Sequence, residues 1–261
     1  MSDKTNFWDQ LCGTILMKNL NITDVNKNSL KLFDAAFFEF YPYLMDVLKH
    51  EQFKEKSVLE IGLGYGTVGQ FLSENAMSYT GLDFAKNPVL MMKQRLEWQQ
   101  NNLSKVVQGD ARELPFRDKS FDSVVSLGCF HHTGNIQKCI DESYRVLKPG
   151  GSLILMIYSD TFFQRLFLRF SFFYKKFIRK NIQVDFRTFK RQMYDVNIEG
   201  IAAPVTEFTS RNQLRTMLKK FGKYDLRLEN HQIPFFRKRN LLLKPPFNHI
   251  LGCDWYIFAR K

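Results

Sequence analysis

Ser57-Val58-Leu59-Glu60-Ile61-Gly62-Leu63-Gly64-Tyr65-Gly66 reads as a short buried strand ending in a carboxylate, then three alternating glycines, with a helix beginning near Thr67. Glycines at that spacing permit a tight turn and let a ligand lie against bare backbone. A strand that feeds such a turn and then a helix is the first unit of a nucleotide-binding α/β sheet. The stretch predicts a fold class and a ligand class together.

Downstream, strand-like and helical runs alternate. Ser78–Asp83, Lys105–Gly109, Phe121–Leu127 and Ser152–Tyr158 read as strands, with helices over Asn87–Gln100 and Asn135–Leu147 and a turn at Lys148-Pro149-Gly150-Gly151. Pro88 suits the first turn of its helix. The strands are apolar throughout, as expected where both faces are buried, and the alternation predicts a parallel sheet over residues 57–158. After the interruption at 159–209, residues 210–261 resume the pattern with a helix near Ser210–Lys220 and strands near Tyr224–Glu229 and Trp255–Arg260. Arg237-Lys238-Arg239 and Pro245-Pro246 read as a solvated loop between those strands.

Two segments lie outside this pattern. In residues 1–56, Phe33, Phe37, Phe38, Phe40, Tyr41, Leu44, Val47 and Leu48 recur at helical spacing with one break at Pro42. That predicts a helical cap on the sheet, or aromatics lining a ligand site. Within 159–209, a helix over 160–180 places Phe163, Leu166, Phe167, Phe170, Tyr174 and Phe177 on one side. Arg165, Arg169, Lys176 and Lys180 fall on the other, with Phe172 stranded among them.

The chain of 261 residues is 44% hydrophobic and 25% charged, ordinary for a globular protein, but it holds 26 phenylalanines and a net charge of +12. That charge favours acidic partners or serves solubility. Cys12, Cys129, Cys139 and Cys253 are scattered, with neither zinc spacing nor a disulfide framework, which points to a reducing cytoplasm and no metal. The N-terminus carries no apolar signal core, and no run approaches the roughly 18 apolar residues of a membrane span.

Two glycine registers compete for the ligand. Gly64-Tyr65-Gly66-Thr67-Val68-Gly69 matches the dinucleotide fingerprint, with Asp83 close to the expected ribose-binding acid, so NAD is a candidate. Yet the strand ends at Ile61, which makes Gly62 the first turn glycine. That register also sets Glu60 at the strand tip, where a pyrophosphate would be repelled and an ammonium welcomed. S-adenosylmethionine (SAM) carries one.

Val58–Gly66, Asp83, Gly109-Asp110-Ala111 and Leu147-Lys148-Pro149-Gly150-Gly151 together resemble a class I SAM-dependent methyltransferase, in the small-molecule branch that includes ubiquinone/menaquinone biosynthesis methyltransferases. The resemblance covers residues 57–158 well, the C-terminal part loosely, and the N-terminus and insertion hardly at all. It implies a Rossmann-like, seven-stranded, mostly parallel sheet of order 3-2-1-4-5-7-6, with helices on both faces and a helical cap or lid. It implies, too, that Gly62, Gly64 and Gly66 border the methionine part of the cofactor while Glu60 organises the loop. Asp83 then takes the ribose hydroxyls, Phe84 packs on adenine, and Asp110 accepts the adenine amino group beside Ala111. Ser126 and Leu127 lie beneath the cofactor.

His131 and His132 follow the fourth strand on the edge where open α/β sheets bind ligands, so either is a candidate general base. The alternative is that they shape the turn through backbone hydrogen bonds. Cys129 with these histidines matches no common metal site. Ser126-Leu127-Gly128-Cys129-Phe130 lacks the Asn/Asp-Pro-Pro-Tyr/Phe signature of nucleic-acid base methyltransferases, which disfavours a nucleic-acid substrate. The expected activity is methylation of a small molecule, on oxygen ahead of carbon or nitrogen. Alternatives are a membrane-associated lipid or quinone methyltransferase, an RNA-binding relative, and an NAD-dependent oxidoreductase. The basic, phenylalanine-rich insertion has three readings: a packed cap, a substrate lid excluding water, or a helix lying on an anionic membrane.

Overall fold

A computed structural model of the chain describes residues 7–10, 14–178, 183–197, 199–230 and 252–261. The Arg237–Arg239 and Pro245-Pro246 loop, Cys12 and Lys180 lie outside the described residues.

Seven strands form one sheet: β1 (Ser57–Ile61), β2 (Ser78–Asp83), β3 (Lys105–Gln108), β4 (Phe121–Leu127), β5 (Leu147–Tyr158), β6 (Lys223–Glu229) and β7 (Asp254–Arg260). Their order is β3-β2-β1-β4-β5-β7-β6, parallel except for β7, which runs antiparallel to both neighbours. The seven-stranded, mostly parallel α/β architecture expected from the strand–helix alternation is the one observed.

The apolar runs explain the layering. In β1, Leu59 and Ile61 join a cluster with Ile136, Ile140 and Leu214. Val58 joins a second cluster with Leu44, Leu48 and Met92. Each face of the sheet is therefore covered by helices. One side carries α6 (Ile136–Val146) and α9 (Arg211–Met217), and the other carries α3 (Leu44–Lys49) and α5 (Lys86–Gln99). The short helix α1 (Thr14–Asn19) precedes them.

The turn expected at Lys148-Pro149-Gly150-Gly151 lies instead within β5. Phe121 faces Leu147 and Ser123 faces Ser152, so the four residues 148–151 oppose Asp122 alone and the strand bulges. A proline cannot donate to the ladder, and a bulge is where a strand tolerates one.

The N-terminal helix α2 (Lys27–Phe40) starts at a capping box, in which the Asn26 side chain accepts from Ser29 N and the Ser29 hydroxyl accepts from Asn26 N. Such a cap contributes about 1 kcal/mol. The helix ends at Tyr41, just ahead of Pro42. The insertion contains α7 (Phe162–Phe173), a π-helical turn (Tyr174–Ile178) and α8 (Phe186–Gln192). Its faces differ from expectation. The buried stripe is Gln164, Leu168 and Phe172, while Phe163, Leu166, Phe167, Phe170, Tyr174 and Phe177 stand exposed. Phe172, the aromatic out of phase, anchors the helix because α8 offers Phe186 and Phe189 on that side, each with its ring 5.4 Å away. No described helix is long and apolar enough to cross a membrane.

Candidate active site

The loop after β1 gathers the site. Gly62, Gly64 and Gly66 all have positive φ, at 87°, 51° and 78°. Gly62 leaves no room for a side chain, because a Cβ there would lie 2.5 Å from the Cβ of Cys129. The loop is tied to the tip of β2, where Gly62 N donates to Leu82 O at 2.8 Å and Leu63 N donates to Asp83 Oδ2 at 2.7 Å. Asp83 Oδ1 also accepts from Ala85 N. A carboxylate offers about four lone pairs, so Asp83 keeps acceptor capacity toward the cavity it lines. Burial raises its pKa from the ordinary carboxylate value.

α4 (Thr67–Asn75) starts from this loop. A Cβ on Gly69 would sit 2.5 Å from the Tyr79 hydroxyl and 2.6 Å from Glu60 Oε2. The second glycine register, Gly64-x-Gly66-x-x-Gly69, thus has a packing cause. Gly69 makes way for the buried Glu60 side chain and the Tyr79 hydroxyl that donates to it. Burial pushes the Glu60 carboxyl up to about 8.

The N-terminal helix is locked onto the same loop. Arg95 of α5 is buried and forms a fork with Asp34 of α2, with Nη1 and Nη2 each 2.8 Å from a carboxylate oxygen. Its Nε donates to Tyr65 O, and the Thr67 hydroxyl donates to Asp34 Oδ1 at 2.6 Å. α2 is therefore both a cap and a wall, since Phe33, Phe37, Phe40 and Tyr41 line the cavity.

The cavity has a volume of about 560 Å³ and runs from the glycine loop to the aromatic wall. At one end it meets Glu60, Gly62, Gly64, Asp83, Phe84, Asp110, Ala111 and Leu127. The expected cofactor-side residues converge there, with two exceptions. Gly66 caps α4, and Ser126 is fully buried, donating to Ile61 O at 2.9 Å; neither lines the cavity. Ser126 pins β4 to β1 from behind the cavity wall. Asp110 is gripped by Arg112, whose Nη2 lies 2.6 Å from Oδ2, and this holds its carboxyl below the usual range.

The other end holds His132, Asp195, Tyr158 and Tyr194. His132 Nδ1 lies 2.8 Å from Val205 O, and a carbonyl only accepts, so that nitrogen bears a proton. Nε2 faces Asp195 Oδ2 at 3.1 Å, and the Tyr158 hydroxyl donates to the same oxygen at 2.5 Å. Burial pushes the Asp195 carboxyl up, but the His132 hydrogen bond and charge and the Tyr158 hydroxyl outweigh it, leaving the carboxyl below its usual range. Trp8 covers this cluster, its ring 4.5 Å from that of His132.

The two histidines part company here. His131 is fully buried and does not line the cavity, and neither ring nitrogen has a hydrogen-bond partner. It stacks between Tyr158 and His132 at 3.9 and 4.1 Å, and burial with the neighbouring His132 holds its pKa well below the ordinary value. A neutral imidazole walled from the ligand space cannot serve as the base, so the geometry withdraws His131 from the catalytic pair. Donor atoms of His131, His132 and Asp195 lie within 4.8 Å of one another, close enough to hold a metal ion. Both His132 nitrogens already face hydrogen-bond acceptors, which accounts for the cluster without one.

Trp8, Tyr158, Tyr194 and Asp195 are site residues that the sequence did not disclose. Tyr158 had a usable signal as the last residue of a buried strand, at the ligand-binding edge. Asp195 had none, because it reaches the site from 63 residues beyond His132.

The lining suits a cationic ligand. Among the described residues it includes Asp83, Asp195 and Asp254 besides the Asp110–Arg112 pair, while Glu60, raised to about 8, is mostly protonated at neutral pH and adds little charge. A dinucleotide pyrophosphate would meet uncompensated negative charge, whereas an ammonium and a sulfonium would be stabilised.

Residues 59–155 match a family described as a methyltransferase domain. A demethylmenaquinone methyltransferase of Tropheryma whipplei is 32% identical over 120 residues, covering 44% of this chain and 49% of the relative. A fatty-acid O-methyltransferase of Mycolicibacterium smegmatis is 35% identical over 109 residues, covering 40% and 37%. The chain thus spans half or less of the length of these relatives. A SAM-dependent methyltransferase structure from Methanosarcina mazei superposes with a TM-score of 0.56 at 19% identity, covering 82% of this chain and 96% of that one, a likeness of fold.

Proposed function

Since residues 59–155 form a class I SAM-dependent methyltransferase domain, we propose that the protein methylates an oxygen of a small acceptor with an apolar body, with Asp195, held in place by His132, taking the acceptor's proton. One observation carries this reading: the hydrogen-bonded chain Tyr158–Asp195–His132 opens into the same cavity as the glycine loop. SAM, when bound, supplies a methyl group on a positively charged sulfur that leaves as a neutral thioether.

The chain's own residues do the rest. Gly62 and Gly64 offer bare backbone, Asp83 offers carboxylate oxygens to hydroxyls, Phe84 and Leu127 offer apolar surface, and Asp110 beside Ala111 offers an acceptor. Phe33, Phe37 and Phe40 exclude water and hold the acceptor's apolar body, and much of the rate arises from that positioning. Asp195 is the proton acceptor. A proton leaving the acceptor hydroxyl bonds to the Asp195 carboxylate, whose contact with His132 Nε2 holds it in place. Asp195 sits below the ordinary carboxylate range, so it is ionised and free to accept across neutral pH, though a weaker base than an unperturbed carboxylate.

A fatty acid, already a carboxylate at neutral pH, would need no base; a quinol satisfies this description, and the quinone relative above supplies the first acceptor to assay. With such an acceptor, Asp195→Asn should lower kcat by roughly 100-fold or more. S-adenosylhomocysteine (SAH) binding by calorimetry should be unchanged in that variant. Near-normal kcat in Asp195→Asn across pH would remove the proposed base. Product mass and proton NMR would separate O-methylation from C- or N-methylation.

A further inference from the structure

We propose that α7 is a docking element for an anionic lipid bilayer, lying in the plane of the headgroups with its phenylalanine face inserted. The helix is apolar on two opposite sides. Gln164, Leu168 and Phe172 form the inward stripe, and Phe172 packs on Phe186 and Phe189. At 100° per residue, Phe162, Leu166, Phe170 and Phe173 lie diametrically opposite that stripe, and they stand in water. Phe170 is 67% exposed, and the apolar surface continues through Phe177 to Ile178 at 70%. Isolated exposed apolar residues are normal; a contiguous ridge of this kind marks an interaction site.

The charges around the ridge say what covers it. Between Asp160 and Asp185 the sequence holds six Lys and Arg and no Asp or Glu. Arg165 and Arg169 lie at the flank of the ridge, between the outward face and the buried stripe, and Lys175 and Lys176 follow on the π-helical turn. The centre of the outward face bears no charge. That arrangement suits the boundary between acyl chains and anionic headgroups, where aromatic rings sink in and guanidinium groups stay at phosphate depth. A second copy would bring two strongly basic ridges face to face. A nucleic acid would be met by phenylalanine where its phosphates need cations.

The proposal stands apart from the methyl-transfer reading, since no α7 residue lines the cavity. The test is co-sedimentation of the full chain with vesicles of phosphatidylglycerol and phosphatidylcholine, against pure phosphatidylcholine. The wild type should pellet with the anionic vesicles and weaken as salt rises. Phe170→Ser/Phe173→Ser and Arg165→Gln/Arg169→Gln should each lower the partition coefficient roughly tenfold. Both variants should keep the wild-type far-UV circular dichroism and SAH binding, which shows that they fold. Wild-type protein left in the supernatant with every vesicle, or variants that partition like wild type, would overturn the proposal. So would a concentration-dependent dimer, or displacement of the protein from vesicles by single-stranded RNA, if Phe170→Ser/Phe173→Ser abolished it.

Discussion

Glu60 holds a proton well above the ordinary carboxylate range, because burial raises its carboxyl to about 8 and the Tyr79 hydrogen bond only partly opposes that. The folded pKa exceeds the unfolded one, so between roughly pH 4.5 and 8 the native state holds a proton that the unfolded chain has released. Stability should fall as pH rises through that window, by on the order of 1 kcal/mol per unit. Urea unfolding of the ligand-free protein at pH 5.5 and 7.5 checks this, and Glu60→Gln should flatten the slope. Gly69→Ala should cost about 1–3 kcal/mol by forcing a methyl group against Tyr79 and Glu60. Adding Tyr79→Phe should recover part of that loss. Both glycine registers were visible in the sequence, but the reason for Gly69 was not. Its cause is the Glu60–Tyr79 contact, whose partners lie on different strands.

The element with the strongest hold on the loop is α2. Asp34→Ala would leave the Arg95 guanidinium buried without its carboxylate, a change that costs about 3–5 kcal/mol in comparable sites. It should lower the melting temperature by roughly 10 °C and weaken SAH binding, since Arg95 also holds Tyr65 O and Asp34 holds Thr67. Calorimetry reads both effects, and SAH affinity equal to wild type would detach α2 from the cofactor loop. Helical spacing disclosed that α2 and α7 are helices. It did not disclose which apolar side faces inward, because periodicity measures contrast between faces and not what neighbours them. In α7 the inward side was set by Phe186 and Phe189, and a single phase-breaking residue, Phe172, answers them.

At the scale of the whole molecule, ligand and fold should be coupled. SAM at about 100 times its dissociation constant should add about 2.7 kcal/mol of stability, and NADH at the same concentration none. Thermal scans with Asp83→Ala should lose that gain; an equal rise for the variant would take Asp83 out of the binding site. The parallel sheet was legible in the strand–helix alternation, and its order only through the resemblance carried by Val58–Gly66, Asp83 and Leu147–Gly151. The cluster around His132 was not, because Trp8, Tyr158 and Asp195 meet only once chain far apart in sequence has folded over the cavity. One feature of that sheet also sets a clock. β7 fills the place beside β5, between it and β6, so one edge of β5 has no partner until residues 254–260 exist. About 95 residues separate the two strands, which at roughly 5–20 residues per second keeps that apolar edge open for about 5–20 seconds during synthesis. The nascent protein therefore passes through a sticky, half-built interval in which a chaperone or a neighbouring chain competes with its own last strand.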